Sequence, residues 1–120
     1  MIEQMPDLPD NVVGMTAKGQ VTAEDYNSTL IPAVEAVLKT RGKIRFLYHF
    51  GPEFTGFTAG ALWLDANIGF KHLAKWEKIA VISDVSWIRG STKMWGLVLP
   101  GKVRVFSNDQ LAKAKEWLSA

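Results

Sequence analysis

The sequence predicts an α/β domain, a mixed sheet of about five strands carrying four main helices, and three observations lead there. The segment Lys43-Ile44-Arg45-Phe46-Leu47-Tyr48-His49-Phe50 alternates with period two, which places Ile44, Phe46, Tyr48 and Phe50 on one face and Leu47 and His49 on the other. Ile79-Ala80-Val81-Ile82 is a short continuous apolar run, the pattern of a parallel strand buried on both faces. Between such strands, apolar residues recur at helical spacing, so strands and helices alternate as crossover units require. With 120 residues and no linker, repeat or low-complexity stretch, residues 1–120 form a single domain.

Element by element, Met1 to Pro9 carries two prolines and reads as an edge strand or arm. Asn11 to Ala17 alternates weakly and suits a strand that Lys18-Gly19-Gln20 breaks. Thr22-Ala23-Glu24-Asp25 has the spacing of a capping box, and Tyr26, Leu30, Val34, Val37 and Leu38 follow at helical intervals. Pro32 falls inside that pattern and is expected to kink the first helix or delay its start, and Arg41-Gly42 is a helix exit. Gly51 to Gly56 reads as a turn-rich loop after the strand ending at Phe50.

A second helix is predicted from Phe57 to Trp76. Its Phe57, Leu62, Trp63, Leu64, Ile68, Phe70 and Leu73 point nearly all round the wheel, so it is expected to be covered on all sides. The buried strand lies within Glu77–Asp84, a third helix within Val85–Leu99 and another strand within Gly101–Phe106. A last helix over Asp109–Leu118 is capped by Ser107 or Asn108 and turns Leu111, Ala114, Lys115 and Leu118 inward.

Composition narrows the function classes. No cysteine excludes disulfide scaffolds, thiolate metal centres and thiol nucleophiles. No apolar run reaches the ~20 residues of a membrane span, and the N-terminus lacks a basic region followed by an apolar one, so a soluble cytoplasmic protein is expected. The net charge of +2 divides unevenly. Residues 1–40 hold six acids and two bases, and residues 41–120 hold six acids and twelve bases. Arg45, Lys102 and Arg104 alternate on strands away from the aromatics, so no nucleic-acid partner is expected. No phosphate-binding glycine loop or nucleophile elbow occurs, and no cofactor is expected. His49 ends a strand beside Glu53 of the following loop, while Asp65 and His72 share a face if the second helix runs through both. No metal-ligand spacing links the two histidines, so no metal site and no catalytic constellation is assigned.

The second and third helices carry the most information. In the third, Trp87, Ile88, Met94, Trp95, Val98 and Leu99 cluster on one side, with Arg89 and Lys93 spaced i,i+4 on the other. That stripe packs a helix on a sheet, and the same stripe with its cations is how a helix lies on a membrane surface. Trp87, Arg89, Lys93 and Trp95 are the candidate membrane-facing residues. Gly90 and Gly96 weaken the helix by about 1 kcal/mol each relative to Ala, which suits an element that moves. Separation of the two helices would open a groove lined by Phe57, Leu62, Trp63, Phe70, Trp87, Met94 and Trp95, suited to an apolar small molecule or lipid. The same surface would also serve self-association or a protein partner.

Several stretches together resemble one family: Gly19-Gln20-Val21-Thr22-Ala23-Glu24-Asp25-Tyr26, Gly56-Phe57-Thr58-Ala59, Ala61-Leu62-Trp63, Gly69-Phe70-Lys71-His72-Leu73 and Ile79-Ala80-Val81-Ile82-Ser83-Asp84. With the order of elements, they are similar to the SpoIIAA-like proteins of the STAS superfamily, named for sulphate transporters and anti-sigma factor antagonists. The resemblance spans nearly the whole chain and implies the SpoIIAA-like fold. By analogy it also implies an arrangement similar to the CRAL-TRIO lipid carriers. In the anti-sigma antagonists, a serine in an Asp-Ser-Ser-Gly type loop is phosphorylated by a partner kinase. The matching loop here reads Glu53-Phe54-Thr55-Gly56-Phe57-Thr58, so Thr55 stands nearest that hydroxyl, although the acidic-serine pair is missing. Thr55 or Thr58 as a plain helix cap is the competing expectation.

Two functions follow as expectations. The first is a non-catalytic binding protein with an apolar ligand site and peripheral membrane association. The alternative is a regulatory protein–protein module of the anti-sigma antagonist type, modified at Thr55.

Overall fold

In the computed structural model, which describes residues 1–120, strands and helices alternate in this order. Strand β1 (Ile2–Gln4) is followed by β2 (Val12–Val21), a helical stretch, β3 (Ile44–Phe57), α3 (Ala59–Lys71), β4 (Trp76–Ser83), α4 (Ser86–Val98), β5 (Lys102–Phe106) and α5 (Leu111–Ser119). The stretch after β2 comprises α1 (Ala23–Asp25), a π-helical turn (Tyr26–Leu30) and α2 (Ile31–Arg41), running on as one helical element. There are thus four helical elements on a five-stranded sheet of order β1-β2-β3-β4-β5. β1 is antiparallel to β2, and the other neighbours are parallel.

This sequential order has a consequence. Parallel crossovers are right-handed, so three successive crossovers in one direction place all their helices on the same face. The larger core accordingly joins Tyr26, Leu30 and Val34 with Ala61, Ile68 and Ile88 over Val13, Met15, Phe46, Tyr48, Phe50 and Val81. The opposite face carries Leu47, Ala80, Ile82 and Phe106, and α5 covers it with Ala114 and Leu118, helped by Met5 and Leu8. The predicted sidedness of β3 is the one observed, since each face is set by period-two alternation.

Local signals place most boundaries. Thr22 accepts a hydrogen bond from Asp25 N, while Asp25 Oδ2 accepts from Thr22 N at 2.8 Å, the reciprocal box read from the sequence. Pro32 falls in the first turn of α2, inside the continuous helical element, where it supplies no N–H to the preceding turn. That preceding turn is the π-helical one. Ser107 and Gln110 form a second box in front of a 3₁₀ turn (Asn108–Gln110) that leads into α5.

Three boundaries differ from expectation. Lys18-Gly19-Gln20 does not break β2, which continues through it to Val21 because the end of β3 pairs alongside. Gly51 to Gly56 is not a loop but the continuation of β3, paired with the tail of β2 through Gly19↔Phe54, Gln20↔Gly56 and Val21↔Phe57. The register shifts around Gly19, whose φ of 57° only glycine adopts without strain. The second helix ends at Lys71 rather than Trp76: a 3₁₀ turn (Leu73–Lys75) follows, and Trp76 opens β4 as a buried residue. That helix is also not covered on all sides. Trp63 is 70% and Phe70 58% exposed, because its outer face has no neighbour.

Candidate functional site

Over the sheet, α3 and α4 flank a partly open cavity of about 120 Å³. Phe46, Tyr48, Phe50 and Val81 supply strand residues to its lining. Leu62, Asp65, Ile68 and Gly69 come from α3, and Trp87, Ile88, Ser91, Thr92 and Trp95 from α4. The helices converge where Trp95 crosses Gly69. A Cβ at Gly69 would lie 3.0 Å from Trp95 Cη2, so glycine is what allows this approach. Phe70 packs beside Trp95 with ring centroids 5.0 Å apart.

The projecting end of β3 makes the other boundary. Tyr48 stacks on Phe50 at 4.3 Å, and Phe50, Phe54 and Phe57 meet edge to face. Phe57 reaches Trp87 at 5.9 Å, also edge to face. Such aromatic pairs contribute about 0.5–1.5 kcal/mol each beyond their burial, and here they hold the start of α4 against the end of β3.

Polar groups in this setting are few and mostly committed. Thr92 Oγ1 donates to Ile88 O at 2.7 Å, and Trp76 Nε1 donates to Gly69 O at 3.1 Å. Tyr26, buried in the π-helical turn, donates its hydroxyl to Asp65 Oδ1 at 2.6 Å and lies 2.9 Å from the Tyr48 hydroxyl. Because Tyr26 has one proton and gives it to the carboxylate, Tyr48 donates to Tyr26. Burial, reinforced by the Asp65 charge, pushes both tyrosines up from the usual phenol range. Burial also raises the Asp65 carboxyl above its ordinary value, opposed by the Tyr26 hydrogen bond. This chain of two phenols and a carboxylate did not emerge from the sequence. Its one signal was Asp65 as the sole charged residue in the apolar run from Ala59 to Phe70.

Of the residues expected to line a groove, Phe57, Leu62, Trp87 and Trp95 line the cavity. Trp63, Phe70 and Met94 do not. They stand on the outer surface, Met94 at 69% exposure, because a helix can turn only part of its circumference toward a neighbour. The stripe on α4 is likewise divided: Ile88 and Leu99 are buried, while Trp87, Met94, Leu97 and Val98 are exposed.

Arg89 does not sit free on the polar side of α4. Its Nη1 donates to Ser83 O at 2.7 Å and Phe106 O at 3.2 Å, tying the helix to the ends of β4 and β5, whereas Lys93 is exposed. Thr55 is exposed within β3, and Thr58 caps α3 by accepting from Ala61 N at 3.2 Å. Ser83 Oγ accepts from Val85 N, and Asp84 accepts from Asn108 N, so neither caps α4.

His72 and Asp65 do not share a helix face, since His72 leaves the helix at the C-cap and donates to Glu35 Oε1 at 3.0 Å. That hydrogen bond is the main reason the Glu35 carboxyl is held below its usual range. His49 sits in β3, and its imidazole is shifted down by burial and by Lys115. No three of the His, Asp and Glu side chains converge in a metal-binding arrangement. No helix is long and apolar enough to cross a membrane.

The fold and its cavity define an α/β domain of SpoIIAA-like architecture. The sequence matches the SpoIIAA-like family over residues 12–119, and the chain belongs to that family, in keeping with the STAS superfamily. Among solved structures, it is similar to an uncharacterized protein of the DUF3478 family with a SpoIIAA-like fold from Shewanella loihica PV-4. The TM-score is 0.77 at 25% identity, over 98% of this chain and 92% of that one. No curated protein matches the sequence. Membership carries with it a binding or regulatory module.

Proposed function

We propose that this chain is a non-catalytic binding protein that holds a small apolar molecule in the cavity between α3 and α4 and rests the rim of that cavity on a membrane surface. The observation that carries the reading is the cavity itself, apolar on nearly all sides and about 120 Å³ in volume. A space of that order admits a benzene-sized body or the end of an acyl chain. Each methylene it buries contributes about 0.8 kcal/mol. The membrane part draws support from the outer surfaces of the two helices, where Trp63, Phe70, Trp87, Met94, Leu97 and Val98 are all exposed.

The test is a titration with benzyl alcohol followed by ¹H–¹⁵N NMR, alongside native mass spectrometry of the purified protein. Saturable shifts confined to amides around Leu62, Ser91 and Trp95 are expected. Shifts spread over the whole surface, or none, overturn the ligand reading.

A second reading, a regulatory protein–protein module modified at Thr55, draws on the exposure of that hydroxyl at the projecting end of β3. Phosphate found on Thr55 in protein taken from its native cells supports it. Protein from those cells without modification at Thr55, under conditions where other phosphosites are detected, counts against it.

A further inference from the structure

We propose that the molecule held in the cavity carries a positively charged, hydrogen-bond-donating head on its apolar body, a small arylalkylamine or alkylamine, and that Asp65 receives that head. The proposal rests on the ligand-binding reading above and names the chemistry of the ligand.

Asp65 is the single charged residue in the cavity lining. Its Oδ1 accepts from Tyr26, but its Oδ2 has no protein partner, and no lysine, arginine or histidine nitrogen lies within 4.0 Å of the carboxylate. Oδ2 keeps accessible surface, and Asp65 belongs to the cavity lining. An unpaired carboxylate in apolar surroundings is costly, and it recurs where a ligand completes the pairing.

The direction of the hydrogen bonds sets the sign of the preference. Both phenol protons run toward the carboxylate, from Tyr48 to Tyr26 and from Tyr26 to Asp65. The Thr92 hydroxyl and the Trp76 indole are spent on backbone carbonyls. Apart from Ser91 and the indoles of Trp87 and Trp95, all borne on α4, the lining therefore offers acceptors and negative charge. A fatty acid or phosphate head would meet Asp65 with no cation to balance it, whereas an ammonium supplies both charge and donors.

The experiment compares benzylamine, benzyl alcohol and benzoate by ¹H–¹⁵N NMR titration near neutral pH, on the intact chain and on Asp65→Asn. Benzylamine is expected to bind at least about tenfold more tightly than benzoate, as one charge-assisted hydrogen bond implies. In Asp65→Asn that margin disappears while benzyl alcohol still binds. Asp65→Ser, which removes the charge and leaves an acceptor for the Tyr26 hydroxyl, also loses the margin and serves if Asp65→Asn does not fold. Binding of benzyl alcohol with equal affinities for amine and carboxylate, or a preference for benzoate, overturns the headgroup assignment alone. Failure of all three probes overturns the ligand reading on which it stands.

Discussion

Tyr26 shows how one residue joins three elements. It is fully buried at the start of the π-helical turn, reaches Tyr48 on β3 and Asp65 on α3, and directs both phenol protons toward the carboxylate. Asp65 in turn makes stability depend on pH with a definite sign. Burial raises its folded-state pKa above the unfolded value of 3.8, so the folded chain binds the proton more tightly than the unfolded one. Stability from this group is therefore full below the ordinary carboxylate pKa and is lost as pH rises through the raised folded value. Urea unfolding of the parent and Asp65→Asn across the range from about pH 4 to 7 checks this. The parent should lose stability relative to the variant as pH rises, and a constant difference would count against a buried carboxylate.

At the scale of the element, α4 divides its apolar residues between two duties. Ile88 is buried in the main core, and Ile88→Ala should cost about 2–5 kcal/mol in denaturant unfolding. Met94 and Leu97 are mostly exposed and lie outside the cavity lining, and Met94→Glu with Leu97→Glu should change stability by only ~0.5 kcal/mol per site. Under the proposed function, the same pair abolishes flotation with anionic liposomes. Retained flotation would place membrane contact elsewhere or dismiss it. The sequence marked this helix as amphipathic but could not divide its stripe, because Trp87 and Ile88 are neighbours that differ in burial only through what lies beneath each. Arg89 illustrates the same limit: i,i+4 spacing with Lys93 suggested a solvent-facing pair, yet the carbonyls of Ser83 and Phe106 claim its guanidinium.

For the whole molecule, three crossover elements share one face of the sheet and α5 serves the other, so protection should follow depth. Amides of β3 and β4, paired on both sides, should exchange slowest with deuterium. Those of α4, which packs on β4 and β5 at the end of the sheet and contains Gly90 and Gly96, should exchange by local opening well before global unfolding. Exchange of α4 only with the global unit would show that the helix does not open over the cavity on its own.

Much of this protein can be read from the order of its residues, because the signals are local. Period-two alternation in Ile44–Phe50, the apolar run Ile79–Ile82, the capping residues Thr22 and Asp25 and the exit at Gly42 act within a few residues of themselves. They sufficed for the α/β class, the four helical elements and the family resemblance. Tertiary structure alone settled what depends on distant partners. Residues 51–57 became strand because the tail of β2 lies beside them, overruling the turn propensity of Gly51, Pro52 and Gly56. The cavity exists because Gly69 and Trp95 set the approach of two helices. Its polar chain joins Tyr26, Tyr48 and Asp65, which lie 22 and 39 positions from one another along the chain. Hydrogen bonds between side chains depend on position in space, and no periodicity in the sequence records that.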